Sequence, residues 1–417
     1  MHLIETEKGM LAGKNGKACE LAMNILVDLG ELYGAKRMIS ISQVHIDMTL
    51  YMVDAGVEFA EKIAEWGGKL TVPTQLNPAS IDLLHYEKMR VPEDLLEKSR
   101  RLENAYLKMG AIPTWTCAPY QQGLIPSFGE PIAWGESNAI AFVNSVIGAR
   151  TERYADLTDV CAAITGRVPE MGLHLNENRK AETLFSIQDF PAYAFNDPRL
   201  FPLLGYVFGE LAGDIVAAAE GIPQNVSMDN LKTFSAAAAS SGAVGLFHII
   251  GVTPEAPDII TCFRNGVPQE TVAITREMID SAESRLNQGS CSMPDLITLG
   301  CPHYSIDEFK ALEKYLDSRK IKSDVEFWVF TSRRTYEQIQ KSNLLEAIES
   351  FGVKVFTDGC SLQYPKDSWD FTCAMSDSAK YANYCFSQTG LNVIFAGTRD
   401  CVETAVSGEL KREPLWK

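Results

Sequence analysis

The sequence predicts an α/β fold whose sheets are mainly parallel. Three observations carry that expectation. Short apolar runs alternate with stretches of helical periodicity along the whole chain. The runs in the last third are apolar at successive positions, as strands buried on both faces require. Helix start and stop signals fall between them.

In the first third, "KRMISISQV" (36–44), "GKLTVPT" (68–74) and "GAIPTWTC" (110–117) read as strands. Between the last two, Leu95, Leu96, Leu102, Ala105, Tyr106 and Met109 recur at helical spacing, with Pro92 opening the helix and Gly110 closing it. In "PIAWGESNAIAFVNSVIGARTERYADL" (131–157) a helix is expected from about Glu136 to Ile147, with Ser137, Asn144 and Ser145 near one face. "FGELAGDIVAAAEGIP" (208–223) reads as an amphipathic helix stopped by Gly221 and Pro223. In the last third, "PDLITLGC", "DVEFWVFTS", "GVKVFTDGC" and "LNVIFAG" read as buried parallel strands. Ser305 and Glu308 have capping-box spacing, so a helix starts just after Cys301 and ends in basic residues.

The chain has 417 residues, 46% hydrophobic and 22% charged, which is material for more than one core. Its formal net charge of −16 repels phosphate backbones and anionic lipid, so no nucleic-acid or membrane partner is expected. "MHLIETEKGMLAG" carries charges where a secretory leader is apolar, and a cytoplasmic protein is expected. The most apolar window, "AAAASSGAVGLFHIIGV" (235–251), is too rich in small and polar residues for a membrane span and reads as a buried segment. Ten cysteines in such a chain suggest reduced thiols rather than a disulfide framework. The zinc-ribbon, metalloprotease, nucleophile-elbow, phosphate-loop and dinucleotide motifs are absent.

Cys117, Cys301 and Cys360 each fall at the carboxyl end of a predicted strand, where open α/β sheets bind ligands. A helix opening after Cys301 would offer free N–H groups to an anionic centre there. Cysteine is also a common small core residue, so packing alone is the competing reading. Cys161 and Cys385, on predicted helices, are expected to be such packers. The polar side chains Glu136, Ser137, Asn138, Asn144, Ser145, Arg150, Thr151 and Arg153 crowd an otherwise apolar segment. Buried polar rows need partners, and a bound polar substrate is one source of them; capping and a surface stripe are the other. Among the histidines, His45 follows a strand, His174 sits in "GLHLNENR", and His303 lies two residues from Cys301.

The motifs "TWTCAPY", "AWGESNAIAFVNSVIGART", "GLHLNENR", "LGCPHYS" and "TDGC" occur in an order that resembles the aconitase X family, its large or catalytic portion. The resemblance implies an aconitase-like fold, several α/β lobes around a central metal-site cleft. It implies two interleaved lobes in 1–284 and a third in 285–417. It also implies a fourth, swivelling domain, expected here on a separate small subunit. By position, Cys117, Cys301 and Cys360 correspond to the family's ligands for an iron–sulfur cluster, [2Fe-2S] or [4Fe-4S], or for mononuclear iron. The implied reaction is dehydration of a small hydroxy acid. The expected catalytic set is His45, Ser137, Asn138, Ser145, Arg150 and His303. The expected substrate-binding set is Asn77, Glu136, Asn144, Thr151, Arg153 and His174. Bacterial-type members resemble cis-3-hydroxy-L-proline dehydratases, and "ARTERYADLTDVCAAITGRVP" looks more like that type. Archaeal members resemble mevalonate 5-phosphate dehydratases, whose phosphate would call on Arg150, Arg153, Arg167 and Arg179. Two readings from other classes stay open: a metal-free, non-catalytic paralogue, and a cysteine hydrolase using Cys117 with His45 or His303.

Overall fold

Among the described residues the strands gather into three parallel sheets and one short antiparallel pair. The computed structural model describes residues 1–187, 190–287, 289, 291–322 and 324–416. The first stretch carries β1 (Met38–Ser40), β2 (Val44–Ile46), β3 (Thr74–Leu76), β4 (Ala133–Trp134) and β5 (Arg167–Pro169). Here β3-β2-β4 form a parallel sheet, and β1 pairs antiparallel with β5. The middle carries β6 (Thr183–Ser186), β7 (Ala217–Glu220), β8 (Phe247–Ile249) and β9 (Glu270–Ala273), parallel in the order β8-β7-β6-β9. The last stretch carries β10 (Leu296–Tyr304), β11 (Glu326–Thr331), β12 (Lys354–Phe356), β13 (Cys373–Ser376) and β14 (Asn392–Phe395). They are parallel in the order β12-β11-β10-β13-β14. The chain winds outward both ways from β10, which makes the carboxyl end of β10 a switch point where a crevice opens. The chain is thus α/β with several mainly parallel sheets, as expected.

Several elements differ from the sequence expectation. The predicted strand 36–44 is split into β1 and β2, and the predicted strand 68–74 starts only at Thr74. The predicted strand 110–117 follows the edge of β3 through single bonds, Ile112 N to Thr74 O (2.8 Å) and Thr116 N to Leu76 O (2.9 Å). Pro113 has no N–H and Trp115 takes a positive φ of 44°, so no continuous ladder forms. The predicted helix 208–223 is a helix only in Leu200–Ala212; the alanine run after Gly213 is β7, buried between strands. Alanine carries no period, so burial in the sheet decides its conformation. The helix after β10 is Ile306–Leu316, capped by Ser305 and Glu308 as expected, with Lys314 in its last turn; it stops at Asp317, before Arg319 and Lys320. Cys291 and Cys373 form a disulfide (S–S 2.09 Å), which corrects the expectation of reduced thiols at that pair. They are 82 residues apart, and only the pairing of β10 with β13 brings them together. The other eight cysteines are free, with Cys161 and Cys385 buried on helices as expected.

The helix Glu93–Met109 has Pro92 and Gly110 at its ends and buries Leu102, Ala105, Tyr106 and Met109. One apolar core joins the β6–β9 sheet to one face of the β10–β14 sheet, and the half-buried Cys301 and Cys360 pack against it. Separate cores fill the first stretch and the other face of the last sheet. Among the described residues no helix is long and apolar enough to cross a membrane.

Candidate functional site

Three acidic or amide side chains stand just beyond the carboxyl ends of the first sheet. Asp47 follows β2, Asn77 follows β3 and Glu136 follows β4. Gly135 lets β4 end there. A Cβ on it would lie 2.5 Å from Asp159 Oδ2 and 2.7 Å from Asp47 Cβ. From the last sheet, Gly300, Cys301, Pro302 and His303 belong to the distal part of β10, and Cys360 follows β12. Asn77 and Glu136 from the first set and all of the second face one cavity of about 270 Å³, with Asp47 behind Asn77. Its lining includes Cys117, Cys301, Cys360, Asn77, Glu136, Ser137 and Lys380. Among the described residues no three His, Cys, Asp or Glu side chains close into a ready cage for one ion. The three cysteines share the cavity lining.

Electrostatics follow from this burial. Burial pushes the Cys117 thiol well up, with Glu136 adding to it. Burial likewise raises Cys301, and it takes Cys360 up to about 12. By itself the protein therefore holds these sulfurs as neutral thiols, and their joint ionisation needs a positive group among them. The Lys380 ammonium is in contact with the Glu136 carboxylate and lies 3.4 Å from Ser137 Oγ. Burial opposes the charge on Glu136, but Lys380 overrides it and holds the carboxyl far below its usual range. Burial also opposes the charge on Lys380, and Glu136 overrides it in turn, so the ammonium persists. Asn77 Nδ2 donates to Asp47 and to Glu136 Oε2 (3.2 Å), while Asn77 Oδ1 is buried without a partner. Asn138 Nδ2 donates to Glu136 Oε1 (2.8 Å), so Asn138 holds Glu136 in place from behind.

The expected catalytic and binding residues divide accordingly. Cys117, Cys301, Cys360, Asn77, Glu136, Ser137 and His303 meet at the cavity. Asn144, Ser145, Arg150, Thr151, Arg153 and His174 are not brought to it. The expected helix from Glu136 to Ile147 is α only over Ser137–Phe142 and continues as a π turn over Val143–Ile147. Asn144 then bonds Thr151 O and Gly245 O (both 2.8 Å), and Ser145 Oγ accepts from Phe247 N (2.8 Å). Thr151 Oγ1 accepts from Trp134 N (3.0 Å). These polar rows are satisfied by protein backbone, partly that of β4 and Thr151 and partly that of Gly245 and Phe247 at β8. Arg150 donates to His174 O (3.1 Å) and to Asn176. Arg153 lines a separate surface groove. His174 contacts the Tyr154 hydroxyl at 2.6 Å, and burial, with Arg179 and Arg150 nearby, lowers it to about 3.

His45 is buried behind the cavity, its Nε2 donating to Thr116 O (2.8 Å). His303 uses both ring nitrogens, Nδ1 with Thr116 Oγ1 (3.0 Å) and Nε2 with Gly359 O (2.9 Å). Burial lowers both histidines to about 4. The helix after β10 caps itself, and the N–H of His303 reaches Cys117, 3.3 Å from its Sγ. Sequence reasoning missed Lys380 and Asp47. Lys380 was findable, because it is the one charged residue in the helix Ala379–Thr389. Asp47 gives no such sign.

Three family models match the chain in order: aconitase X first domain over residues 1–177, second domain over 181–284 and third domain over 294–407. The cis-3-hydroxy-L-proline dehydratase of Pseudomonas aeruginosa is 40% identical over 414 residues, covering 98% of this chain and 71% of that protein. The phosphomevalonate dehydratase large subunit of Methanothermobacter thermautotrophicus is 36% identical over 410 residues, covering 95% and 96%. The crystal structure of Thermococcus kodakaraensis aconitase X in its holo form matches with a TM-score of 0.87 at 31% identity, covering 97% of this chain and all of that one. Agreement along all three matched stretches, at these identities and in the same fold, means that this chain belongs to the aconitase X family.

Proposed function

We propose that this chain is the large, catalytic part of an iron-dependent hydro-lyase that dehydrates cis-3-hydroxy-L-proline to pyrroline-2-carboxylate. The observation that carries the reading is the cavity itself. It gathers three half-buried cysteines from distant segments beside one buried ammonium and one buried carboxylate. The thiols fit a cationic centre, since burial otherwise keeps them protonated. Cys117, Cys301 and Cys360 would hold it, and bound there it supplies a Lewis acid for the substrate's hydroxyl.

The chain's own residues supply the rest. Lys380 brings a fixed positive charge to a substrate carboxylate and to the enolate-like charge that grows when the α proton leaves. Asn77 Oδ1 and Glu136 offer acceptors to a ring ammonium. Ser137 Oγ donates to Glu136 Oε1 (3.1 Å) and keeps it oriented. Among the described lining residues no group is a free base. His303 is engaged at both nitrogens, Lys380 lowers the proton affinity of Glu136 far below that of an ordinary carboxylate, and Lys380 is protonated. We therefore place the base on a swivelling domain of a small subunit, of roughly 100–150 residues. The name "large subunit" carried by the archaeal relatives supports such a partner. The chain divides as 1–284 and 285–417 in this scheme and works in the cytoplasm.

The phosphomevalonate reading has the archaeal relatives in its favour. The cations expected for a phosphate are elsewhere, however: Arg179 pairs with Glu255, Arg167 with Glu7 (3.1 Å), and Arg150 and Arg153 face other surfaces. Lys380 is the one lysine or arginine among the described lining residues. A cysteine hydrolase lacks its pair, because neither His45 nor His303 presents a ring nitrogen to Cys117.

Anaerobic purification with the co-encoded subunit tests this. The expected complex is brown, contains iron and sulfide, and turns over cis-3-hydroxy-L-proline in preference to mevalonate 5-phosphate, while the chain alone is nearly inactive. Cys301→Ala is expected to lose iron and activity, and Cys385→Ala to keep both. Equal iron in these two variants, or preference for the phosphorylated substrate, refutes the reading. An iron-free wild type points to a non-catalytic paralogue instead.

A further inference from the structure

The three cysteines lie on three separate segments, and one residue touches all of them. His303 is two residues beyond Cys301 on β10. Its backbone N–H donates to Cys117 Sγ (3.3 Å). Its ring Nδ1 meets the hydroxyl of Thr116, the residue before Cys117, at 3.0 Å. Its ring Nε2 meets the carbonyl of Gly359, the residue before Cys360, at 2.9 Å. A carbonyl only accepts, so Nε2 carries the proton and Nδ1 accepts from Thr116. Thr116 Oγ1 is then free to accept from Ala118 N, as it does at 3.1 Å. Each donor in the chain has one acceptor, so the ring has a single satisfied orientation.

The Cys117 and Cys360 segments already have anchors on the first sheet. Thr116 N donates to Leu76 O (2.9 Å), and Ala79 N to Asp358 O (2.7 Å). Cys301 comes from the other side of the cavity, on β10. The imidazole of His303 is buried, 1% exposed, and stands between these anchors.

We infer that His303 is a positioning residue: it fixes the spacing of the three cysteine segments, its ring bridging the Cys117 and Cys360 loops while its backbone holds Cys301's strand to Cys117. Its consequence for iron rests on the reading above; the clamp itself rests on the hydrogen bonds alone.

Two readouts separate the two. In metal-free protein, a short bifunctional thiol reagent, dibromobimane, reports which of Cys117, Cys301 and Cys360 can be bridged. In protein reconstituted anaerobically with ferrous iron and sulfide, iron affinity and the visible and EPR spectra report the centre. His303→Ala is expected to change the cross-link pattern, lower iron affinity about 10–100-fold and alter the spectrum, as loss of an outer-shell partner does. His303→Gln, which keeps a donor toward Gly359, is expected to recover part of each. Thr116→Val removes the Nδ1 bond, together with the one that Oγ1 accepts from Ala118 N. It leaves the ring's bond to Gly359 and the backbone's bond to Cys117, and is expected to shift the spectrum in a protein that stays folded. Wild-type cross-linking, affinity and spectrum in His303→Ala overturn the inference. If that variant fails to fold, an unchanged spectrum and cross-link pattern in Thr116→Val overturns it. If the wild type binds no iron, the functional reading falls, and the cross-links of the metal-free variants alone decide the clamp.

Discussion

The Lys380 ammonium and the Glu136 carboxylate meet where little water reaches either, with side-chain exposures of 11% and 12%. Removing one partner leaves the other charged and unpaired, at a cost of about 3–5 kcal/mol. Lys380→Met is therefore expected to lower the melting temperature strongly, and adding Glu136→Gln to restore most of the loss. Turnover separates structure from chemistry. Both the single and the double variant should lose about 10²–10³ in kcat/KM, as loss of a positioned charge does. Thermal melts alongside steady-state kinetics check this, and recovery of activity in the double variant would show that Lys380 only stabilises the fold.

At the scale of elements, β10 matters most, because it carries Cys301 past the end of regular pairing. It stays in register with β11 from Leu296 to Leu299, then slips before Tyr304. Gly300 makes the slip possible. Its φ is +95°, and a Cβ there would sit 2.2 Å from the backbone oxygen of Phe330. Gly300→Ala is expected to destabilise the protein by about 1–3 kcal/mol and to weaken iron retention. Denaturant unfolding and iron analysis measure both, and a neutral variant would mean that the bulge does not set the cysteine's place. The glycine and the cysteine were both visible in "LITLGCPHYS". The slip was not, because it depends on what β11 presents opposite. The π turn at Val143–Ile147 is similar: the helical period was legible, but the partners of Asn144 and Ser145 come from residues about a hundred positions later.

For the whole molecule, the cavity exists because the first and last sheets are bolted together beside it. Thr357 N and Oγ1 both donate to the buried Asp82 (2.9 and 3.0 Å), and Arg333, held by two bonds to Asp358 within the last stretch, reaches Glu103 of the first at 3.8 Å. Acidic groups buried near the cavity also set how the fold responds to pH. Burial pushes the Asp159 carboxyl up to about 7, against the hydrogen bonds it accepts from Asp47 N and Val160 N. A carboxyl raised in the native state binds its proton more tightly folded than unfolded. Stability then falls as pH rises from the unfolded value of about 4 to the folded value of about 7. Asp159→Asn removes that term, so its melting temperature should gain on the wild type across this window. Parallel melting curves from pH 4 to 7 measure the difference, and a constant offset would contradict a raised Asp159.

By itself the sequence determined the α/β class, most strand and helix cores, and the helix caps at Pro92, Gly110 and Ser305. Of the three cysteines expected at strand ends, Cys360 follows β12, Cys301 lies within the distal part of β10, and Cys117 follows a stretch that is not a strand. The class, cores and caps are local properties, written in residue type and period. Tertiary structure alone decided that Asn144, Ser145 and Thr151 bond the backbone, that Lys380 faces Glu136, and that Cys291 bonds Cys373. Most of those partners lie some eighty residues or more along the chain. A side chain's type tells what it can bond, and only packing tells what it meets.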